Sequence, residues 1–211
     1  MVNQQARPVV RRATHRDVDD IVRVIAQAFE TDDPIEEYVF PSLAERRKRT
    51  PAMLRVMLRH RFLPIGGASV ALLDDRVVGA ALYYPPRHRT PLWHQAVAGP
   101  QLLRAMGAAG TRRGMAVDAA MAQVAPNRPH TFLVYLGCAP GLQRRGVGKA
   151  LWGALAEASD AAEASLGGIC KDDNVAYYRA LGCDVVERVR VGRDGPEMNM
   201  VLRPPARPAP R

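Results

Sequence analysis

Hydrophobic and polar positions along the chain switch repeatedly between a helical and a strand period, and the switches predict the elements. Residues 9–13 form a short apolar-basic run that reads as an edge strand. Thr14, with Asp17 three positions on, makes a variant capping box. Val18, Ile21, Val22, Ile25, Ala26 and Phe29 then recur on one helical face. Ser42 and Glu45 repeat the capping pattern. Thr50-Pro51 is expected to start a fresh helix, because proline is tolerated in a first turn, and Met53, Leu54, Met57, Leu58 and Phe62 supply its apolar stripe. Ala68–Leu73 and Arg76–Tyr84 flank Asp74-Asp75 and read as a hairpin. Residues 87–125 are rich in Ala, Gly and Met and predict a weakly patterned helical insert. The run at 131–139, TFLVYLGCA, is apolar on both faces, which places it in the middle of a sheet. A helix at 150–164, a strand at 166–170, a helix at 175–181 and strands near 185–191 and 198–202 follow. Residues 204–211 are Pro/Arg-rich and read as a disordered tail.

Strands alternating with helices, with hairpins towards both ends, predict a mixed α/β sheet rather than a purely parallel winding. The 211 residues suit one domain, taken as 1–203, long enough to bury a core. An apolar fraction of 47% against 24% charged residues excludes wholesale disorder and fibrous repeats. No apolar run reaches the ~20 residues that span a bilayer. The first residues carry no apolar signal region, which makes the cytoplasm the expected compartment.

The formal charge is +9, and of 30 basic residues only Lys48, Lys149 and Lys171 are lysines. So strong an arginine skew, beside abundant Ala, Gly and Pro, matches GC-rich coding and weakens any reading of each arginine as placed for a partner. The stretch Arg46-Arg47-Lys48-Arg49, continuing to Arg55, Arg59 and Arg61, lacks interleaved aromatics. It is expected to be a solvated helix face, with no nucleic-acid partner. Cys138, Cys170 and Cys183 show no metal-ligand spacing, so no metal site is expected and each reads as a small core residue.

The chemistry concentrates between the central strand and its following helix, in Pro140-Gly141-Leu142-Gln143-Arg144-Arg145-Gly146-Val147-Gly148-Lys149. Glycines there allow close backbone approach, and the free amides of a helix start form an anion site, with Arg144, Arg145 and Lys149 adding charge. A pyrophosphate would suit it. The spacing is neither a Walker A loop nor G-x-G-x-x-G.

Gln143-x-x-Gly146-x-Gly148, after a strand ending Leu136-Gly137-Cys138-Ala139-Pro140, resembles the acetyl-CoA signature of the GNAT superfamily of N-acetyltransferases. Asn174-Val175-Ala176-Tyr177-Tyr178-Arg179-Ala180-Leu181-Gly182-Cys183 resembles the family's second signature, Asn-x-x-x-Tyr-x-x-x-Gly-Phe, with Cys183 in place of its Phe. Ala28-Phe29 followed by an acidic stretch, the long helical insert, and Arg128-Pro129-x-x-Phe132-Leu133 at the entry to the central strand resemble puromycin N-acetyltransferase-like members more closely still. The resemblance implies a GNAT-like, mostly antiparallel central sheet, splayed at the central strand beyond Cys138 and flanked by helices. It also implies acetyl transfer from acetyl-CoA to an amine without a covalent enzyme intermediate. Leu136, Gly137 and Cys138 would hold the cofactor's pantetheine arm through their backbone. Gln143, Arg144, Arg145, Gly146, Val147, Gly148 and Lys149 would hold its pyrophosphate. Asn174 would cap its helix, bond the pantetheine, or both. Tyr178 would be the general acid for the departing thiolate, with Tyr177 as packing. Cys183 would loosen packing under the cofactor.

No general base stands out. Glu30, Asp32, Asp33, Glu36 and Glu37 form the densest acidic cluster of a basic chain and would attract a cationic amine; Glu30, Asp32, Asp33 and Glu37 are the substrate-binding candidates. His130 and Tyr135 are expected to be structural. The leading expectation is a small-molecule amine acetyltransferase acting as monomer or homodimer. A protein lysine or N-terminal acetyltransferase and a non-catalytic acyl-CoA sensor are the alternatives.

Overall fold

The computed structural model describes residues 7–89 and 91–206. In chain order the elements are β1 (Val9–Arg12), α1 (Val18–Ala28), α2 (Pro34–Val39), α3 (Leu43–Met57), β2 (Ala68–Leu73), β3 (Arg76–Tyr84) and α4 (Leu92–Val124). There follow β4 (His130–Cys138), α5 (Val147–Ala161), β5 (Ser165–Cys170), α6 (Val175–Ala180), β6 (Asp184–Arg190) and β7 (Glu197–Arg203). All seven strands join one sheet in the order β1-β2-β3-β4-β5-β7-β6. Every pairing is antiparallel except β4 with β5, which α5 connects as a crossover. The expected mixed, mostly antiparallel sheet with flanking helices is thus the observed fold. Among the described residues no helix is long and apolar enough to cross a membrane.

Two apolar layers sandwich the sheet. On one face Ile21 and Ile25 of α1, Leu54 and Met57 of α3 and Met106 and Val117 of α4 pack against Val70, Leu82 and Phe132. On the other, Val147, Leu151, Trp152 and Leu155 of α5 pack on Val78, Leu133 and Leu166. The capping box at Thr14 forms: Asp17 accepts from the Thr14 amide at 2.7 Å. Arg11 clamps the same carboxylate, holding its pKa down at about 2.

Two expectations need correction. Thr50-Pro51 does not begin a new helix, since α3 runs unbroken from Leu43 and passes through Pro51. The buried face of α3 is Arg46, Thr50, Met53, Leu54 and Met57, a continuous helical period whose first member is an arginine. Arg46 is no solvated residue: it donates to the Glu30, Phe40 and Pro41 carbonyls and ties the loops around α2 to α3. The 87–125 insert does form a helix, but Gly107, at φ 72°, kinks α4, which packs on α2 and α3 and reaches β6. Of the expected tail at 204–211, the Ala206 amide donates to Asp160 at 2.8 Å, and residues 207–211 lie outside the described set.

The sheet opens at its middle. β4 pairs with β5 only from His130↔Ser165 to Leu133↔Gly168, while β3 follows β4 as far as Gly79↔Cys138. The splay therefore starts at Val134, before Cys138 rather than beyond it. Its cause is a bulge: the β3 register steps from Tyr83↔Leu133 to Leu82↔Tyr135, leaving Val134 unmatched. In a regular strand Val134 and Tyr135 would face opposite sides. Here both pack on the α1/α3/α4 side, whereas Leu136 and Cys138 lie on the α5 side.

Candidate active site

Beyond the splay point one edge of β4 is bare. The Ala139 amide donates to the Val78 carbonyl at 2.8 Å. Peptide groups alternate sides along an antiparallel strand, so those of Gly137 also turn to β3 and those of Leu136 and Cys138 turn to the open side. Gly137 itself is required by packing: a Cβ there would lie 3.0 Å from the Ala28 Cβ and 3.1 Å from Ile25 of α1.

From this edge the chain turns into α5. Gly146 caps the helix start at φ 81°, a conformation that favours glycine, and Arg144 is also left-handed at φ 62°. Val147 is buried against Gly79, which anchors the first turn to β3. Among the described residues, the amides of Arg144, Gly146, Val147, Gly148 and Lys149 have no acceptor; the first helical amide to find one is Ala150, on Gly146. Gln143 folds its side-chain oxygen onto the Gly141 amide at 3.2 Å. Arg144, Arg145 and Lys149 are exposed and make no ion pair among the described residues. Five free amides, a helix start and three cations without an ion pair among the described residues make this turn a candidate anion site.

Across the opening stands α6. Asp172, in the turn before it, accepts from Asn199 of β7 at 2.7 Å and pairs with Arg188, which fixes the start of the helix. Asn174 does not cap α6 with its side chain, and its side-chain amide lines the opening. Tyr178 packs on Trp152 with ring centroids 5.2 Å apart, and its hydroxyl bonds no described residue. Burial pushes its pKa well above the ordinary value, so it stays protonated. Tyr177 packs edge-on against Tyr178 and is 41% exposed, with its hydroxyl where a Cβ on Gly148 would come within 2.9 Å. Cys183 is buried, and its thiol is pushed up to about 12, chiefly by burial.

The acidic cluster divides. Glu30 turns outward to Arg47, and Glu37 stands 3.6 Å from Arg46. Asp32, at φ 62°, holds Lys171 through its carboxylate (2.6 Å) and its carbonyl (2.9 Å), linking the loop after α1 to the end of β5. Asp33 caps α2 by accepting from the Glu36 amide at 2.8 Å, and burial raises its pKa. Only Asp33 and Glu36 of the five line the cavity of about 150 Å³ that opens from the splay beneath α4. Tyr135, Lys171, Asn174 and Tyr178 line it too.

Glu36 is the residue that sequence spacing does not separate from Glu37. It is 1% exposed, accepts from the Tyr135 hydroxyl at 2.8 Å and from the Thr50 hydroxyl at 2.9 Å, and has no cation within ion-pair distance among the described residues. Burial raises its pKa to about 7, and the two hydrogen bonds restrain the rise. Its phase was the available signal, since it precedes the buried Val39 and Phe40 by three and four positions. Tyr135, expected to be structural, lines the same cavity and donates to Glu36, brought there by the Val134 bulge. No cysteine is poised as a nucleophile: burial raises Cys138, and it raises Cys170 to about 11. No group of three or more His, Cys, Asp and Glu among the described residues could hold a metal ion.

The fold is shared with known structures. A Corynebacterium glutamicum structure described as histone acetyltransferase HPA2 and related acetyltransferase is similar over 95% of this chain and 98% of its own, at 23% identity and TM-score 0.71. The Drosophila melanogaster polyamine N-acetyltransferase matches over 94% and 100%, at 15% identity and TM-score 0.61. Ard1 from Thermoplasma volcanium matches over 95% and 99%, at 14% identity and TM-score 0.57. At these identities the likeness shows the fold. Comparison with curated protein sequences finds no match. The model of the acetyltransferase (GNAT) family, however, matches residues 26–183, which contain the bare β4 edge, the anion site, Glu36 and Tyr178. With three quarters of its length matched in this way, the chain belongs to the GNAT acetyltransferase family.

Proposed function

We propose that the protein moves an acetyl group from acetyl-CoA to the primary amine of a small molecule, by direct attack while both are bound. The observation that carries this reading is Glu36, a buried carboxylate with a pKa of about 7 in the cavity that meets the bare β4 edge. A general base works best when its pKa lies near the working pH.

The chain fits the donor that the family uses. The amides and cations of residues 144–149 suit its pyrophosphate, and the bare edge at Leu136 and Cys138 suits the amides of its pantetheine arm. Acetyl-CoA supplies a thioester activated towards amines. The chain supplies the rest. Backbone N–H groups on the open β4 edge polarise the carbonyl. Glu36 takes the proton that the amine nitrogen must lose, directly or through water, as the C–N bond forms. Tyr178 gives its proton to the sulfur as the C–S bond breaks.

Coverage of the cavity by α4 favours a small acceptor over a protein lysine, which would need an open groove. The resemblance to puromycin N-acetyltransferase-like members supports an antibiotic amine, and with it a detoxifying role in a bacterial cytoplasm. Release of free CoA thiol across an amine panel that includes puromycin tests the reading. Tight acetyl-CoA binding without acetylation of any amine would instead support a sensor.

A further inference from the structure

The acceptor cavity has a composition the rest of the chain does not share. Six of the protein's eight methionines line it: Met53, Met57, Met106, Met115, Met121 and Met198. They come from α3, α4 and β7, elements far apart in sequence. Methionine is unbranched, polarisable and able to change rotamer, so a wall of thioethers adapts to apolar surfaces of varied shape.

The charges of the same cavity nearly cancel. Asp118 is paired with Arg61 at 2.9 Å, and Lys171 is held by Asp32. That leaves Asp33 and Glu36 as the lining carboxyls without an ion-pair partner among the described residues, both at the end nearest Tyr135. Burial favours their neutral forms. One amine nitrogen is matched at that end. A second ammonium placed among the thioethers would lose hydration without a counter-charge.

Resting on the reading of this site as an amine acetyltransferase, we propose that its acceptor is a primary amine on an apolar, otherwise uncharged body, aromatic or alkyl, and that the methionine wall selects against polyamines and polar amines.

The test compares kcat/KM at saturating acetyl-CoA for hexylamine and phenethylamine against aminoethoxyethanol, which has as many heavy atoms as hexylamine, and spermidine. The apolar amines are expected to exceed both others by at least about tenfold, since hydrophobic pockets discriminate roughly 10–200-fold per methylene. Met121→Gln should reduce the ratio of hexylamine to aminoethoxyethanol, with protection by acetyl-CoA against heating showing that the variant is folded. Equal or reversed preference in the wild type, or a ratio unmoved in folded Met121→Gln, overturns the apolar class while leaving amine acetylation standing. No turnover of any amine overturns both.

Discussion

The Tyr135 hydroxyl donates to Glu36 Oε1 at 2.8 Å, joining the central strand to a short helix that begins one hundred residues earlier. The bond exists because two local features coincide. Asp33 caps α2 and sets the phase that turns Glu36 inward, while the Val134 bulge re-aims Tyr135 to the same side of the sheet. Thr50 completes the clasp from α3. The fold thus spends a buried, hydrogen-bonded carboxyl where apolar packing would be more stable, the kind of local cost expected at a functional site.

Glu36→Gln keeps the shape and removes the base. We expect kcat to fall about 10²–10⁴-fold, the usual worth of one general base. The wild type should lose activity on the neutral amine as pH falls below about 7, where Glu36 becomes protonated. That acid limb should be missing from the variant. An unchanged limb in Glu36→Gln would assign it to another group.

Tyr135→Phe tests how the carboxylate is tuned. Donation from Tyr135 stabilises ionised Glu36 and lowers its pKa against the effect of burial. Removing the hydroxyl should therefore move the acid limb to higher pH, while the ring keeps its edge-on contact with Phe29 at 5.2 Å. A limb that moves to lower pH would contradict the clasp.

Most of the architecture is legible in the chain because burial is periodic: α1, the β2–β3 hairpin and β4 follow directly from their apolar phase. The errors have a common physical origin. Arg46 begins the buried face of α3, but an arginine saturated by three backbone carbonyls has the same sequence signature as one in water. Glu36 and Glu37 are chemically identical neighbours about 100° apart on a helix, and only packing sends one inward. The bulge at Val134 depends on the register of a strand elsewhere in the chain. The turn with free amides before α5 was legible because its cues are local, resting on glycines and a helix start that are contiguous in sequence.

Gly146→Glu should abolish the rise in Tm that acetyl-CoA produces, by placing a carboxylate among the free amides. Because Gly146 sits at φ 81° with no atom within 4 Å of a would-be Cβ, Gly146→Ala isolates the backbone cost. That cost should be about 1–2 kcal/mol in both variants. Alanine should retain most of the protection and glutamate none; full protection of a folded Gly146→Glu protein would remove this loop from the cofactor site.

Tyr178→Phe separates enzyme from sensor. The ring contact with Trp152 survives, and only the hydroxyl, which bonds no described residue, is lost. We expect a fall in kcat towards the low end of about 10²–10⁴-fold, because a thiolate leaves readily without full protonation. Affinity for acetyl-CoA should be nearly unchanged. Equal kcat for both proteins, where chemistry limits the rate, would remove Tyr178 from the mechanism.

The pKa of Glu36 also predicts how stability varies with pH. Burial raises it from an ordinary 4.5 to about 7, so the folded protein binds this proton more tightly than the unfolded chain does. Below about pH 4.5 the group is neutral in both states and carries no penalty. As pH rises towards 7 the unfolded chain ionises first, and stability is lost across that interval. At 1.36 kcal/mol per unit, the loss is on the order of 3 kcal/mol. Glutamine cannot ionise, and its amide can donate to Thr50 while its oxygen accepts from Tyr135. Glu36→Gln should therefore gain on the wild type as pH rises from about 4.5 to 7, and melt at a higher temperature above pH 7. Denaturation at pH 4.5 and pH 8 measures this directly; a difference between the two proteins that does not change with pH would place the titrating group elsewhere.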